Sequence, residues 1–206
     1  MTGANRGEHW EGVYRTKGER EVSWFQETPS VSLELIRSAG ATRLSPIVDI
    51  GGGASRLVDA LVDRGYEAVT VLDLSESALA AAKGRLGQAA AGVTWIVADV
   101  VGWRPRQSYD IWHDRAAFHF LTDAADQTAY VACLREALRP GGHAIIATFA
   151  PDGPERCSGL PVVRYDATSL GEVLGDAFSL VETKRHDHRT PMGSTQRFQF
   201  SLFRRD

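Results

Sequence analysis

The sequence is short of sulfur, of any charge imbalance and of long apolar runs, and each shortage excludes something. Its two cysteines, Cys133 and Cys157, share neither Cys-x-x-Cys nor zinc-type spacing. A disulfide framework is therefore excluded, and a buried or loop thiol is the expected state of each. The 23 basic side chains are set against 26 acidic ones, a net charge of −3, so there is no overall electrostatic footprint for a nucleic-acid backbone. No run approaches the length of a membrane span, and the opening MTGANRGEHWEG lacks the basic segment and apolar stretch of a secretory signal. A cytoplasmic protein with neither nucleic acid nor membrane as partner is expected. Repeats, low-complexity tracts and charged tails are also missing. With 43% apolar residues in 206, the chain can bury one good core, and a single domain over residues 1–206 is expected.

What is present is a regular alternation. Short β-branched runs at Ile47–Ile50, Ala68–Leu72, Val93–Val97, Tyr109–His113 and His143–Phe149 are separated by stretches of helical period, the pattern of a parallel sheet with helices on both faces. Leu57, Ala60 and Leu61 share one face of a helix predicted over Ser55–Arg64. Leu79, Ala82 and Leu86 do the same over Glu76–Leu86, behind Ser75 as N-cap. Gly65 and Gly87 are plausible stops for these two helices. A third helix, about Ala124–Leu138, is ended by Pro140-Gly141-Gly142. Beyond Phe149 come a loop over Pro151–Pro161, a short helix near Thr168–Leu174, and strands at Ser179–Thr183 and Arg197–Phe203. These last two strands, joined by a polar loop, predict an antiparallel hairpin that completes seven strands. Ahead of the core, Pro29–Ala39 reads as a helix preceded by His9-Trp10, Tyr14 and Trp24-Phe25. Those aromatics either pack on the body or close over a ligand.

The strongest local signal is Val48-Asp49-Ile50-Gly51-Gly52-Gly53-Ala54-Ser55, a buried strand that turns on glycines into a helix. Gly51 and Gly53 let the chain turn sharply and let a nucleotide-like ligand approach the backbone. About 20 positions on, the second strand ends at Asp73-Leu74-Ser75, where a carboxylate can accept from both ribose hydroxyls. The third strand ends at Asp99, which can accept from an exocyclic amine such as that of adenine; a turn or N-cap role is the alternative. Arg56 stands where the dinucleotide fingerprint needs a small residue. Asp49 before the glycines suits the amino group of a methionine moiety and would repel a pyrophosphate. S-adenosylmethionine is the favoured cofactor.

With these residues in view the chain resembles a class I S-adenosylmethionine-dependent methyltransferase. Val48 to Gly53 is similar to that family's first motif, Asp73-Leu74-Ser75 to its ribose motif and Ala98-Asp99-Val100 to its adenine motif. Leu138-Arg139-Pro140-Gly141-Gly142 is similar to the turn before its fifth strand. The resemblance spans roughly residues 9 to 203. It implies a Rossmann-like, doubly wound seven-stranded α/β sheet, mostly parallel with the last strand antiparallel. Tyr109 to Ala117, with Trp112-His113-Asp114-Arg115, resembles the segment after the fourth strand of thiopurine and thiol methyltransferases, and Ser158-Gly159-Leu160-Pro161-Val162 resembles their acceptor-side loop. Departures are Ala116, where the subgroup has glycine, and Leu160, where it has proline. The aromatic front segment is similar to the one those enzymes fold over the cofactor. The resemblance thus implies cofactor contacts at Trp24, Asp49, Gly51, Gly53, Asp73, Leu74, Asp99, Val100 and His113. It divides the chain into a front lid and helix (1–45), a cofactor-binding core (46–150) and an acceptor loop, helix and hairpin (151–206). The Asp-Arg-Ala segment is also similar to small protein-lysine methyltransferases of the seven-strand class, the rival on substrate; a cofactor-binding protein without catalysis is a third reading.

Methyl transfer from a sulfonium is an in-line displacement, so the protein has mainly to align the acceptor and exclude water. Arg115, at the carboxyl edge of the sheet, is a candidate to lower the pKa of a thiol acceptor, or it pairs with Asp114 or Asp126. His119 is a candidate base for an amine or hydroxyl acceptor, or a packed core histidine. His186-Asp187-His188 is placed on a polar loop, where adjacent side chains diverge, and no metal is expected. A small-molecule acceptor and a monomer or homodimer complete the expectations.

Overall fold

The computed structural model describes residues 3–206; residues 1 and 2 of the expected domain lie outside the described residues. In chain order the elements are α1 (Gly3–Thr16), α2 (Ser30–Ser38), β1 (Ile47–Ile50), α3 (Leu57–Asp63), β2 (Val69–Asp73), α4 (Glu76–Leu86) and β3 (Val93–Val97). Then follow β4 (Tyr109–Arg115), α5 (Ala124–Ala137), β5 (Leu138–Phe149), β6 (Arg156–Cys157), β7 (Leu160–Pro161), α6 (Ala167–Leu174), β8 (Phe178–Arg189) and β9 (Thr195–Arg205). The main sheet has the order β3-β2-β1-β4-β5-β9-β8. Strands β1 to β5 run parallel, and β9 is antiparallel to both of its neighbours. The last strand is therefore the one reversed member, and it is inserted between β5 and β8.

The central strands are apolar runs because helices cover both of their faces. All of β1 is buried. One face packs Trp112, Phe118, Tyr130, Leu134, Ile146 and Phe203, and the other packs Leu35, Ile36, Ile111, Phe149, Phe198 and Phe200. The alternation read in the last strand sends Phe198, Phe200 and Leu202 to one side and Phe203 to the other. Helix α4 begins as expected, with Ser75 Oγ accepting from Ala78 N at 3.1 Å, and it stops at Gly87, whose φ is +57°.

Three elements differ from the sequence expectation. The front segment forms a 14-residue helix, α1; it contains Gly7 and Gly12 and few apolar residues, so no apolar stripe announces it. Pro140-Gly141-Gly142 lies inside β5, at the level where the β4–β5 register shifts between Tyr109 and Ile111. His186-Asp187-His188 belongs to β8, paired with Phe198, Arg197 and Gln196 of β9. Backbone pairing with a long partner extends this strand through residues whose side chains carry no apolar period.

Helix α2 is fixed by Leu35 and Ile36, neither of which is exposed at all. Truncation of Leu35 to Ala is expected to cost about 2–5 kcal/mol, read as a lower denaturant midpoint at unchanged m-value.

Candidate functional site

The parallel strands deliver their carboxyl ends to one edge of the sheet, the place where open α/β folds bind ligands. A cavity open to solvent on one side lies there. Its floor is the turn after β1. Gly51 and Gly53 have φ of +64° and +47°, the left-handed region that favours glycine. A Cβ at Gly51 would sit 2.7 Å from Ala117 Cβ, and one at Gly53 would sit 2.9 Å from both Asp73 Oδ2 and Tyr14 Oη. The turn is thus glycine for conformation and for space. Arg56, the residue that breaks the dinucleotide pattern, pairs with Glu19 at 2.5 Å and with Glu27 at 3.0 Å.

Asp73 ends β2 on the cavity wall, with Leu74 beside it. Its Oδ1 accepts from Ser75 N at 2.8 Å, yet burial dominates and pushes its carboxyl up to about 7. Asp99 and Val100 follow β3 on the same wall. Asp99 Oδ2 accepts from Arg6 Nη2 at 2.8 Å, while Arg6 Nη1 reaches Asp126 at 2.5 Å. Asp126, offered as a partner for Arg115, is thus held by Arg6.

Asp114 is fully buried and accepts from Ala117 N at 2.9 Å, Phe118 N at 3.1 Å and Tyr130 Oη at 2.8 Å. Burial raises its carboxyl to about 6. The turn that it closes puts Ala116 at φ +68°, which explains why glycine is the natural occupant of that position; alanine there costs about 1–2 kcal/mol. Arg115, on the cavity wall, donates from Nη2 to Trp24 O at 2.8 Å. Its Nη1 is buried with no hydrogen-bond partner. Burial lowers the guanidinium pKa and the charge of Asp49 opposes that shift. Asp49 Oδ2 is likewise buried and unpartnered. Two unsatisfied groups of opposite charge therefore lie next to the glycine turn.

Asp49 and His113 are neighbours in the β1–β4 register and lie beneath the cavity wall. His113 Nδ1 is 2.7 Å from Asp49 Oδ1, and His113 Nε2 is 2.8 Å from Ser32 Oγ. His119 sits in the short helical turn after β4, completely buried against Phe120 and Phe149. Its Nδ1 accepts from Phe149 N at 3.4 Å, and burial drops its pKa to about 3, so it stays neutral. The cavity wall thus includes Trp24, Gly51, Asp73, Leu74, Asp99, Val100 and Arg115, and not Asp49, Gly53, His113 or His119.

Sequence reasoning missed Arg6 and Cys157 as wall residues and noted Tyr14 only as an aromatic. Arg6, Trp10 and Tyr14 all line the cavity and recur every fourth residue, one face of a helix; that spacing was the available signal. Trp10 packs edge-on against Trp24 and Phe120, with ring centroids 5.6 and 5.0 Å apart. Glu11 ties α1 to the start of α4, accepting from Ser75 Oγ at 2.7 Å and Ser77 N at 3.2 Å. Glu19 holds Arg85 at 2.7 Å. His188 and Gln196, from β8 and β9, bond Ser23 at 2.8 and 3.2 Å. Cys157 reaches the wall from the β6–β7 hairpin, whose turn residues Ser158 and Gly159 both have positive φ. Burial raises its thiol to about 11.

Residues 47–142 match a methyltransferase domain. No curated protein sequence matches the chain. Among solved structures, one is a protein from work on the conversion of a disulfide bond into a thioacetal group during echinomycin biosynthesis. It is 21% identical with a TM-score of 0.77, over 97% of this chain and 91% of that one. A second is the 1,6-didemethyltoxoflavin-N1-methyltransferase of Burkholderia thailandensis, with bound 1,6-didemethyltoxoflavin and S-adenosylhomocysteine. It is 19% identical with a TM-score of 0.72, over 100% of this chain and 91% of that one. A third, an S-adenosylmethionine-dependent methyltransferase of Anabaena variabilis, is 15% identical with a TM-score of 0.78, over 98% of this chain and 96% of that one. Residues 47–142 are thus similar to a methyltransferase domain, and the chain has the fold of the S-adenosylmethionine-dependent methyltransferases.

Because Asp73 is held near 7 when folded and 3.8 is its ordinary value, the folded chain binds the extra proton between those limits. Its contribution to stability is complete in acid and is lost as the pH rises through about 7. Asp73→Asn is expected to raise the melting temperature of the ligand-free protein most at about pH 8, less at about pH 5, and hardly at all below about pH 4. Equal shifts at all of these pH values would contradict this.

Proposed function

We propose that this S-adenosylmethionine-dependent methyltransferase passes a methyl group to a small-molecule heteroatom, a thiol or similar nucleophile. One observation carries the reading. A single cavity joins a wall of carboxylates suited to a nucleoside, Asp73 and Asp99, to a wall of Trp10, Phe120, Arg115 and Cys157 suited to a compact acceptor. The unpartnered Asp49 Oδ2 and Arg115 Nη1 fit a cofactor that carries both an ammonium and a carboxylate. Two structures of the same fold concern sulfur chemistry and the methylation of a small heterocycle, which supports a small acceptor.

When bound, the cofactor supplies a methyl group already activated on a sulfonium. The remaining work belongs to the chain. Asp73 accepts from the ribose hydroxyls, and Asp99, held by Arg6, accepts from the adenine amine. Gly51 admits the ligand to the backbone, while Trp24 and α1 cover it and exclude water. The charge of Arg115 on the cavity wall favours the thiolate of an acceptor. His119, neutral and walled off, takes no part in proton transfer, in contrast to its candidacy as a base. The same reading makes the protein a cytoplasmic enzyme, monomeric or dimeric. Among the described residues no helix is long and apolar enough to cross a membrane.

Incubation with methyl-labelled S-adenosylmethionine and a panel of thiols, amines and phenols should give a labelled small product, with thiols foremost. Label found on protein lysine alone, or tight cofactor binding with no product, overturns the proposal. Asp73→Ala is expected to weaken S-adenosylhomocysteine binding by about 1–3 kcal/mol in calorimetry.

A further inference from the structure

We infer that His113 and Ser32 are positioning residues for the cofactor's amino group, acting through Asp49 in a buried relay Ser32–His113–Asp49. The inference rests on the cofactor reading above. Asp49 and His113 face each other because β1 and β4 pair in that register, and α2 brings Ser32 onto the same side. The three residues are 3%, 2% and 1% exposed. A carboxylate oxygen only accepts, so the 2.7 Å contact requires the proton on Nδ1. In a neutral ring Nε2 then accepts from the Ser32 hydroxyl at 2.8 Å, and both nitrogens are satisfied.

The order serine–histidine–aspartate is that of a hydrolytic triad, but Ser32 is sealed inside the protein and reaches no substrate. What the relay does is settle one half of Asp49. Oδ1 is committed to His113, and Oδ2 is left without a partner. That free oxygen lies under the glycine turn, 2.6 Å from where a Gly52 Cβ would stand, and its carboxylate is close enough for its charge to act on Arg115 and Asp73, both on the cavity wall. A carboxylate with one oxygen pinned and the other bare is an oriented negative charge directly beneath the cavity wall, on the side where an ammonium group would be favoured. Without His113 the group would be free to turn, with both oxygens competing for whatever donor is near. Helix α2, none of whose residues lines the cavity, thereby helps to set cofactor affinity.

The test compares two nucleosides by calorimetry. S-adenosylhomocysteine carries the amino group; 5′-methylthioadenosine lacks the amino-acid portion altogether. His113→Phe is expected to weaken S-adenosylhomocysteine roughly tenfold, the scale of a hydrogen bond to a charged group, and to leave methylthioadenosine unchanged. His113→Asn, whose amide can donate in place of Nδ1, should recover most of the loss. In turnover the loss should fall on the KM for S-adenosylmethionine, with kcat kept. Ser32→Ala, the gentler change should His113→Phe fail to fold, should give a smaller loss with the same selectivity. Equal weakening of both nucleosides, or no weakening of either by any variant, would show that the relay merely packs the core. A wild-type protein that binds neither nucleoside overturns the cofactor reading itself, and the relay falls with it.

Discussion

A fully buried carboxylate, Asp114, determines the shape of the cavity wall that follows β4. Two backbone N–H groups and the Tyr130 hydroxyl converge on it, and Tyr130 is held in turn by Trp112 Nε1 at 2.8 Å. Such a group is tolerated in the interior only because its hydrogen bonds are supplied. Those bonds fold the chain back after β4, force Ala116 into a left-handed conformation, and set Ala117 and Phe120 along the wall while Arg115 faces Trp24. The glycine turn opposite is dimensioned to match, since Gly51 clears Ala117 only by having no side chain.

The core was legible in the sequence wherever burial imposes a period. Strands β1 and β3 and helix α4 fall on the expected residues, because Ile47–Ile50 and Val93–Val97 are apolar runs and Ser75 is a true cap. Asp73 and Asp99 could be located from strand ends alone, since a parallel sheet presents those ends together. Residues whose position depends on distant partners could not be found in the same way. Helix α1 is held by Asp99, Asp126, Ser75 and Ser77, and Cys157 reaches the cavity through a two-residue turn. The outer half of β8 is polar throughout and is a strand because β9 is one.

The front segment shows how charge substitutes for apolar area. Arg6, Glu11 and Glu19 each bond a residue of the strand–helix core, Asp99, Ser75 and Arg85, and Arg6 is nearly sealed from solvent at 6% side-chain exposure. Partial burial makes such contacts worth more than surface ion pairs. They surround an aromatic cluster of Trp10, Tyr14, Trp24 and Phe120, so the part of the protein that meets the ligand is stitched at its margins and apolar at its centre.

The position of β9 between β5 and β8 has a consequence for how the molecule is made. The edge of β5 has no partner until residues 195–205 are available, and β8 has nowhere to add until β9 is in place. Ser23 in turn bonds His188 and Gln196, 165 and 173 residues further along the chain. Contacts of such separation are late and slow to form, because loop closure must be met before they contribute. Assembly is thereby ordered: β1 to β5 and their helices can form from local strand–helix units, the reversed strand then closes the sheet, and the segment that roofs the cavity, although early in the chain, is among the last to dock.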